Sequence, residues 1–272
     1  MPAGLLGALI AIFAVVGSPA GAKVSATATG RQPAVTRTVL VVGDSVAKMF
    51  APYLAKEAAK QGYDVVTAAW PGCPATGVAK VLSSGKPFKR TCSPQVALGQ
   101  NAMVAKYRPA LVVWWSRYEL APRLGPSGKV LRLGSRAWFR EQEASFDGRV
   151  AALTRLGARV VTVQIESPGP DLAVRNPGEH YFLVGHTLLH RQDVVNGWNA
   201  FLAGHKGPEV FSISVEHLVC HDDKVPCDDR LANGRSARPD GIHYSKTAMR
   251  LFAPVIFAKI WNAAGLRSAS AP

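Results

Sequence analysis

The chain is poor in acid. Its 272 residues carry 18 Asp+Glu against 32 Lys+Arg, a net charge of +14. Such a balance fits an anionic partner (nucleic acid, anionic lipid or an acidic envelope polymer) or a solvated basic surface. The basic residues are scattered, as at Arg117, Arg123, Arg132, Arg136 and Arg140. No Lys/Arg block is interleaved with aromatics and no nucleic-acid-binding motif occurs, so nucleic acid is not expected as a partner. A membrane-length apolar run is missing too. The run near the N-terminus, LLGALIAIFAVVG, has about 13 residues, short of the ~20 that span a bilayer. Metal signatures are lacking. His180, His186, His190 and His205 contain one i,i+4 pair but no H-E-x-x-H. Asp222, Asp223, Asp228 and Asp229 lack the twelve-residue calcium-loop pattern. No metal and no cofactor are expected. There is no internal repeat, and the 25 Gly and 19 Pro follow no period, which excludes a collagen-like chain.

What is present begins with the leader. Residues 1–22 carry no charged side chain, and Ala20 and Ala22 precede Lys23 in an A-x-A arrangement. This pattern reads as a cleaved secretory signal, with an uncleaved N-terminal anchor as the alternative. The chain is therefore expected outside the cytoplasm, secreted or anchored. Four cysteines, Cys73, Cys92, Cys220 and Cys227, are an even set in an exported chain and read as two disulfides. Three pairings are possible; pairing by proximity joins Cys73 to Cys92 and Cys220 to Cys227. A zinc site of Cys220, Cys227, His217 and His221 is disfavoured by its C-x6-C spacing.

Residues 23–37 are small and polar and read as a linker. A single folded domain is expected over 38–264, with 265–272 as a flexible tail. Strands are predicted at TVLVVG, DVVTAAW (64–70), ALVVWWS (110–116), ARVVTVQIE (158–166) and EVFSISVEHLV (209–219). Helices are predicted over 47–62, with Pro52 in the first turn, and over 95–107, 136–156, about 188–204 and about 245–263. Strands apolar on both faces, alternating with helices, predict an α/β three-layer sandwich. Its central parallel sheet is covered by helices on both faces, in a flavodoxin-like arrangement. Ligands of such sheets bind at the carboxyl ends of the strands. Trp70, Trp114, Trp115, Trp138 and Trp198 are expected mainly in the core; adjacent on one strand, Trp114 and Trp115 must point to opposite faces.

Two segments carry chemistry. Gly43-Asp44-Ser45 follows the VLVV strand. Ser45 at a strand-to-helix turn can face the crevice, with backbone N–H groups beside it. Taken alone, the tripeptide is equally a helix N-cap. Arg238-Pro239-Asp240-Gly241-Ile242-His243-Tyr244-Ser245 precedes the last helix. Asp240 can orient the imidazole of His243, which can take a serine proton. Taken alone, this is a Pro-Asp-Gly turn with a surface histidine.

Together the two segments resemble the SGNH (GDSL-like) hydrolase superfamily, over roughly 38–263, with GDS after the first strand and D-x-x-H before the last helix. The resemblance implies a serine ester hydrolase or acyltransferase with Ser45 as nucleophile and Asp240 and His243 as its partners. It implies an oxyanion hole built from Ser45 and Gly72, the glycine of AAWPGCP. The family's G-x-N-D block is absent; VVWWSRYEL stands in its place, leaving Ser116 or Arg117 as the replacement donor. Cys73, Cys92 and Arg117-Tyr118 resemble the extracytoplasmic SGNH domains associated with acyltransferase-3 type membrane acyltransferases. That narrower resemblance implies an ester-bearing carbohydrate substrate and a membrane acyltransferase partner. The alternative is a non-catalytic SGNH-fold module that binds envelope glycan.

Overall fold

The structure is a computed structural model that describes residues 36–266 except 83, 84, 87, 89–91, 173–183 and 206. The leader, residues 23–35 of the expected linker, the tail from 267 and His180 lie outside the described residues.

Five strands form one sheet: β1 (Thr36–Gly43), β2 (Asp64–Ala69), β3 (Pro109–Trp115), β4 (Arg159–Val163) and β5 (Val210–Ile213). Their order is β2-β1-β3-β4-β5 and every pairing is parallel. The chain leaves β1 towards β2 on one side and returns to β3 on the other. The carboxyl ends of β1 and β3 therefore frame the switch point where such sheets bind ligands.

Among the described residues seven α-helices accompany the sheet: α1 (Ser45–Ala59), α2 (Gln95–Tyr107), α3 (Arg136–Thr154), α4 (His186–His190), α5 (Gln192–Gly204), α6 (Glu216–Val219) and α7 (Lys246–Ala263). The two-residue period of the strands separates two cores. Val39, Val41, Val113, Trp115 and Val161 pack with Phe50 and Leu54 of α1 and with Ile256 and Ile260 of α7. Leu40, Val42, Val112, Trp114 and Val160 pack with Trp138 and Phe146 of α3 and with Trp198 and Leu202 of α5. This is the expected three-layer sandwich. Trp114 and Trp115 are each fully buried, one per face, so neither lines a crevice.

Four local expectations are corrected. The segment 209–219 is not one strand. β5 stops at Ile213, the Ser214 Oγ accepts from Glu216 N at 3.2 Å, and α6 begins. The helix expected near 188–204 is two helices, broken at Arg191 with φ −128° and ψ 57°. Pro52 lies in the interior of α1, because Asp44 caps the helix two residues earlier than expected. Its ring is exposed, so the kink-prone face of the helix meets solvent rather than core. β4 also ends before Ile165, whose backbone N–H and C=O are both taken by the Asn199 side chain, at 2.9 and 2.7 Å.

Candidate active site

At the end of β1 the chain turns sharply. Gly43 has φ +146°, and a Cβ there would stand 1.8 Å from Trp115 O. Only glycine lets β1 run so close to β3 before turning. Asp44 then caps α1: its Oδ1 accepts from Val46 N at 2.9 Å, while its Oδ2 accepts from Arg117 N at 2.7 Å. Asp44 is buried, and burial raises its pKa against the opposing pull of the Arg117 charge. Ser45, the first helical residue, is half-buried.

The second loop arrives from the far end of the sequence. Arg238 is fully buried; its Nε donates to Asp229 Oδ2 at 3.0 Å, and its Nη2 lies 3.1 Å from Cys227 Sγ. The turn that follows closes through Gly241, φ +77°, where a Cβ would meet Leu172 N at 2.4 Å. Asp240 Oδ1 accepts from Ile242 N at 2.9 Å and His243 N at 2.6 Å, and its Oδ2 lies 2.6 Å from His243 Nδ1. Across the crevice, His243 Nε2 lies 2.7 Å from Ser45 Oγ. The structure thus brings together Ser45, His243 and Asp240 in a continuous hydrogen-bonded chain. Such an arrangement can draw the proton from a serine hydroxyl while a carboxylate steadies the imidazole.

Partial burial works against the Asp240 charge, but hydrogen bonds from the His243 side chain and from the His243 and Ile242 backbone outweigh it. They hold the carboxyl at about 2, below its usual 3.8. A carboxylate with a lowered folded-state pKa stabilises the fold above its unfolded pKa, and that contribution disappears as pH falls through the folded value. Asp240→Asn should therefore melt below the wild type at pH 6, and the gap should close as pH falls from 3.8 towards 2. Thermal unfolding at several pH values checks this; a gap that stays constant would contradict it.

Gly72 is buried in the loop after β2. Trp70 N donates to Gly43 O at 2.9 Å, and Ala75 N to Ser116 Oγ at 3.4 Å, so this loop hangs on the ends of β1 and β3. The Gly72 carbonyl accepts from Lys80 Nζ, whose ammonium lies 4.5 Å from both the Phe88 and Tyr118 ring centres. The Cys73–Cys92 disulfide closes the same loop, and Cys220–Cys227 lies against Arg238 behind the His243 turn. The proximity pairing therefore holds.

Arg117 lies in the VVWWSRYEL segment that stands in place of the absent G-x-N-D block. Its backbone N–H serves Asp44, its Nη2 pairs with Glu166 Oε1, and its Nη1 has no hydrogen-bond partner among the described residues. Burial works against its charge, but Glu166, with Tyr244, Asp44 and Asp240 also facing it, raises its pKa. Glu166 and Tyr244 escaped the reading of the sequence. The Tyr244 hydroxyl also donates to Glu166 Oε1, and both residues are almost wholly buried. The one available signal was an acid ending the apolar ARVVTVQIE segment.

Residues 18–258 match the model of the SGNH domain that is found fused to AT3 domains. The chain belongs to the SGNH domain family. As an SGNH domain it is similar in fold to the periplasmic domain of a lipopolysaccharide acetyltransferase of Salmonella ser. Paratyphi A. That match has 14% identity and TM-score 0.53, covering 84% of this chain and 82% of that one. It is also similar to a GDSL-like lipase of Bacteroides thetaiotaomicron. Here identity is 12% and TM-score 0.51, with 84% of this chain and 89% of that one covered. No curated protein matches this SGNH domain.

Proposed function

We propose that this SGNH domain is an exported serine esterase or O-acyltransferase that acts on ester-modified envelope carbohydrate through an acyl-serine intermediate. The observation that carries the reading is the 2.7 Å contact between Ser45 Oγ and His243 Nε2, continued at 2.6 Å to Asp240. Ser45 Oγ attacks the ester carbonyl while His243 takes its proton. The backbone N–H groups of Ser45 and Gly72 receive the oxyanion; among the described residues neither has another acceptor. His243 returns the proton to the departing alcohol. Water then gives hydrolysis and a sugar hydroxyl gives transfer, from the same acyl-enzyme. A missing third donor costs on the order of 2–4 kcal/mol of transition-state stabilisation. Arg117, which stands where the absent block would lie, is the residue we assign to offset that loss.

Two disulfides fit an oxidising, extracytoplasmic compartment reached through the 1–22 leader as signal or anchor. Residues 23–37 then act as linker, 38–264 as the SGNH domain and 265–272 as tail. Among the described residues no helix is long and apolar enough to cross a membrane. The family's fusion to AT3 domains supports a membrane acyltransferase as partner. The similarity to a lipopolysaccharide acetyltransferase domain supports a carbohydrate acceptor or donor. The net charge of +14 supports retention at an anionic envelope polymer. A non-catalytic glycan-binding module is the second reading, favoured by the absent Asn after β3.

The test is a substrate panel of aryl acetate, acetylated oligosaccharide and long-chain lipid ester, run beside washes of purified cell wall with rising salt. Acetylated sugars should be preferred. Retention on the wall should fall with salt, since exposed charges are screened beyond about 8 Å at physiological ionic strength. Preference for long-chain esters would remove the carbohydrate assignment, and salt-independent retention would remove the electrostatic one. Binding of glycan without turnover of any ester would favour the second reading.

A further inference from the structure

We propose that Glu166, a residue with no part in the proton transfers above, is a positioning residue that sets the Ser45–His243 contact; this rests on the reading of Ser45 as nucleophile. Ser45 and His243 are 198 residues apart in sequence; one opens α1 and the other rides on the loop before α7. Holding their contact at 2.7 Å requires that the two segments be tied to a common point. Glu166 Oε1 is that point. It receives Arg117 Nη2 from the loop after β3 and the Tyr244 hydroxyl from the loop before α7.

Each arm reaches the reacting groups in one or two steps. From Arg117 the backbone N–H runs to Asp44 Oδ2 at 2.7 Å, and Asp44 Oδ1 takes Val46 N at 2.9 Å, so Asp44 ties the helix start that carries Ser45 to the loop after β3. The other arm is Tyr244, the residue after His243. Its ring is wedged edge-on against Phe50 of α1 at 4.9 Å and against Trp115 of β3 at 6.1 Å. Glu166, Arg117 and Tyr244 are each at most 2% exposed. The link is therefore buried and short.

The charge of Glu166 is needed as well as its shape. Arg117 also faces Asp44 and Asp240, the second of which must stay bonded to His243 Nδ1. With Glu166 neutral, the Arg117 guanidinium would be drawn towards these two remaining carboxylates. It would then compete with the imidazole for Asp240. Misplacement of a reacting group by about 1 Å can cost 10²-fold in rate.

The test compares Glu166→Gln and Tyr244→Phe with the wild type. Glu166→Gln keeps an acceptor oxygen for both arms but removes the charge. Tyr244→Phe removes one arm and leaves the buried ion pair intact, so it keeps the idea testable if the first variant does not fold. Aryl-acetate kcat, KM and the low-field proton resonance of His243 Nδ1–H are measured on protein shown to be folded by near-ultraviolet circular dichroism. Positioning predicts that kcat falls by about 10- to 100-fold in both variants with KM nearly unchanged, and that the Nδ1–H resonance moves or broadens. A purely structural ion pair predicts a lower melting temperature with kcat and the resonance as in the wild type, and that result would overturn the proposal. Wild-type kcat in Ser45→Ala, measured in parallel, would instead overturn the nucleophile reading on which this one stands.

Discussion

Ser45→Ala should abolish hydrolysis of an aryl acetate, lowering kcat/KM by about 10³-fold or more while the protein stays folded. Removing the nucleophile from a serine–histidine–carboxylate set has this effect because the covalent route is lost outright, leaving only binding and oxyanion stabilisation. The fold should hardly notice. Ser45 is half-buried, and among the described residues its Oγ makes one hydrogen bond, to His243. An intramolecular hydrogen bond contributes about 1 kcal/mol net. The Asp44 cap of α1 remains in place. Steady-state kinetics with melting curves on the same samples separate lost chemistry from lost structure. Near-wild-type turnover by folded Ser45→Ala would remove Ser45 from the mechanism.

The second large effect is on folding. Gly43→Ala places a methyl 1.8 Å from Trp115 O and 2.8 Å from the Ala47 Cβ, at φ +146°. The first obstacle is backbone in a paired strand, so no rotamer relieves it. Either β1 and β3 separate at their carboxyl ends or the turn carrying Asp44 and Ser45 swings away. Overlap plus a strained φ should destabilise by roughly 3 kcal/mol or more. In a domain of this size that is a fall of about 6–12 °C in melting temperature, accompanied by loss of activity. Gly148→Ala in α3 is the contrast: a Cβ there meets nothing within 4 Å. It should be neutral or stabilising by up to about 1 kcal/mol, since alanine favours the helix. Equal melting temperatures for Gly43→Ala and the wild type would show that β1 does not need this close approach.

The sheet was legible because period-2 burial and period-3.6 helices are local signals. Val39 and Val41 against Leu40 and Val42 already separate the two cores, and Trp114 beside Trp115 requires one ring per face. The Ser45 and Asp240–His243 segments stood out only as a pair, through their joint resemblance to the SGNH blocks; taken singly, each reads equally as a helix cap or a turn. Glu166 was not legible. An acid at a strand end ordinarily meets water. Its pairing with Arg117 and Tyr244 exists only because the strand order sets β4 beside β3 and the last loop returns over both. The break at Ser214 was hidden for a related reason. SISVEHLV alternates well enough for a strand, but Glu216 is drawn to Ser167 N at 2.8 Å, a partner on a distant loop. Tertiary hydrogen bonds override local pattern at such points.

The most direct measurement of the central claim is labelling with a fluorophosphonate, followed by intact mass and peptide mapping of the wild type, His243→Ala and Ser45→Ala. A fluorophosphonate phosphonylates a serine hydroxyl only when a neighbouring base activates it. A Ser45 Oγ held 2.7 Å from His243 Nε2 should react once, on the peptide containing Gly43-Asp44-Ser45. The adduct should be lost in Ser45→Ala and strongly slowed in His243→Ala. An unlabelled wild type, a label on another residue, or labelling of Ser45 at the same rate without His243 would contradict the account.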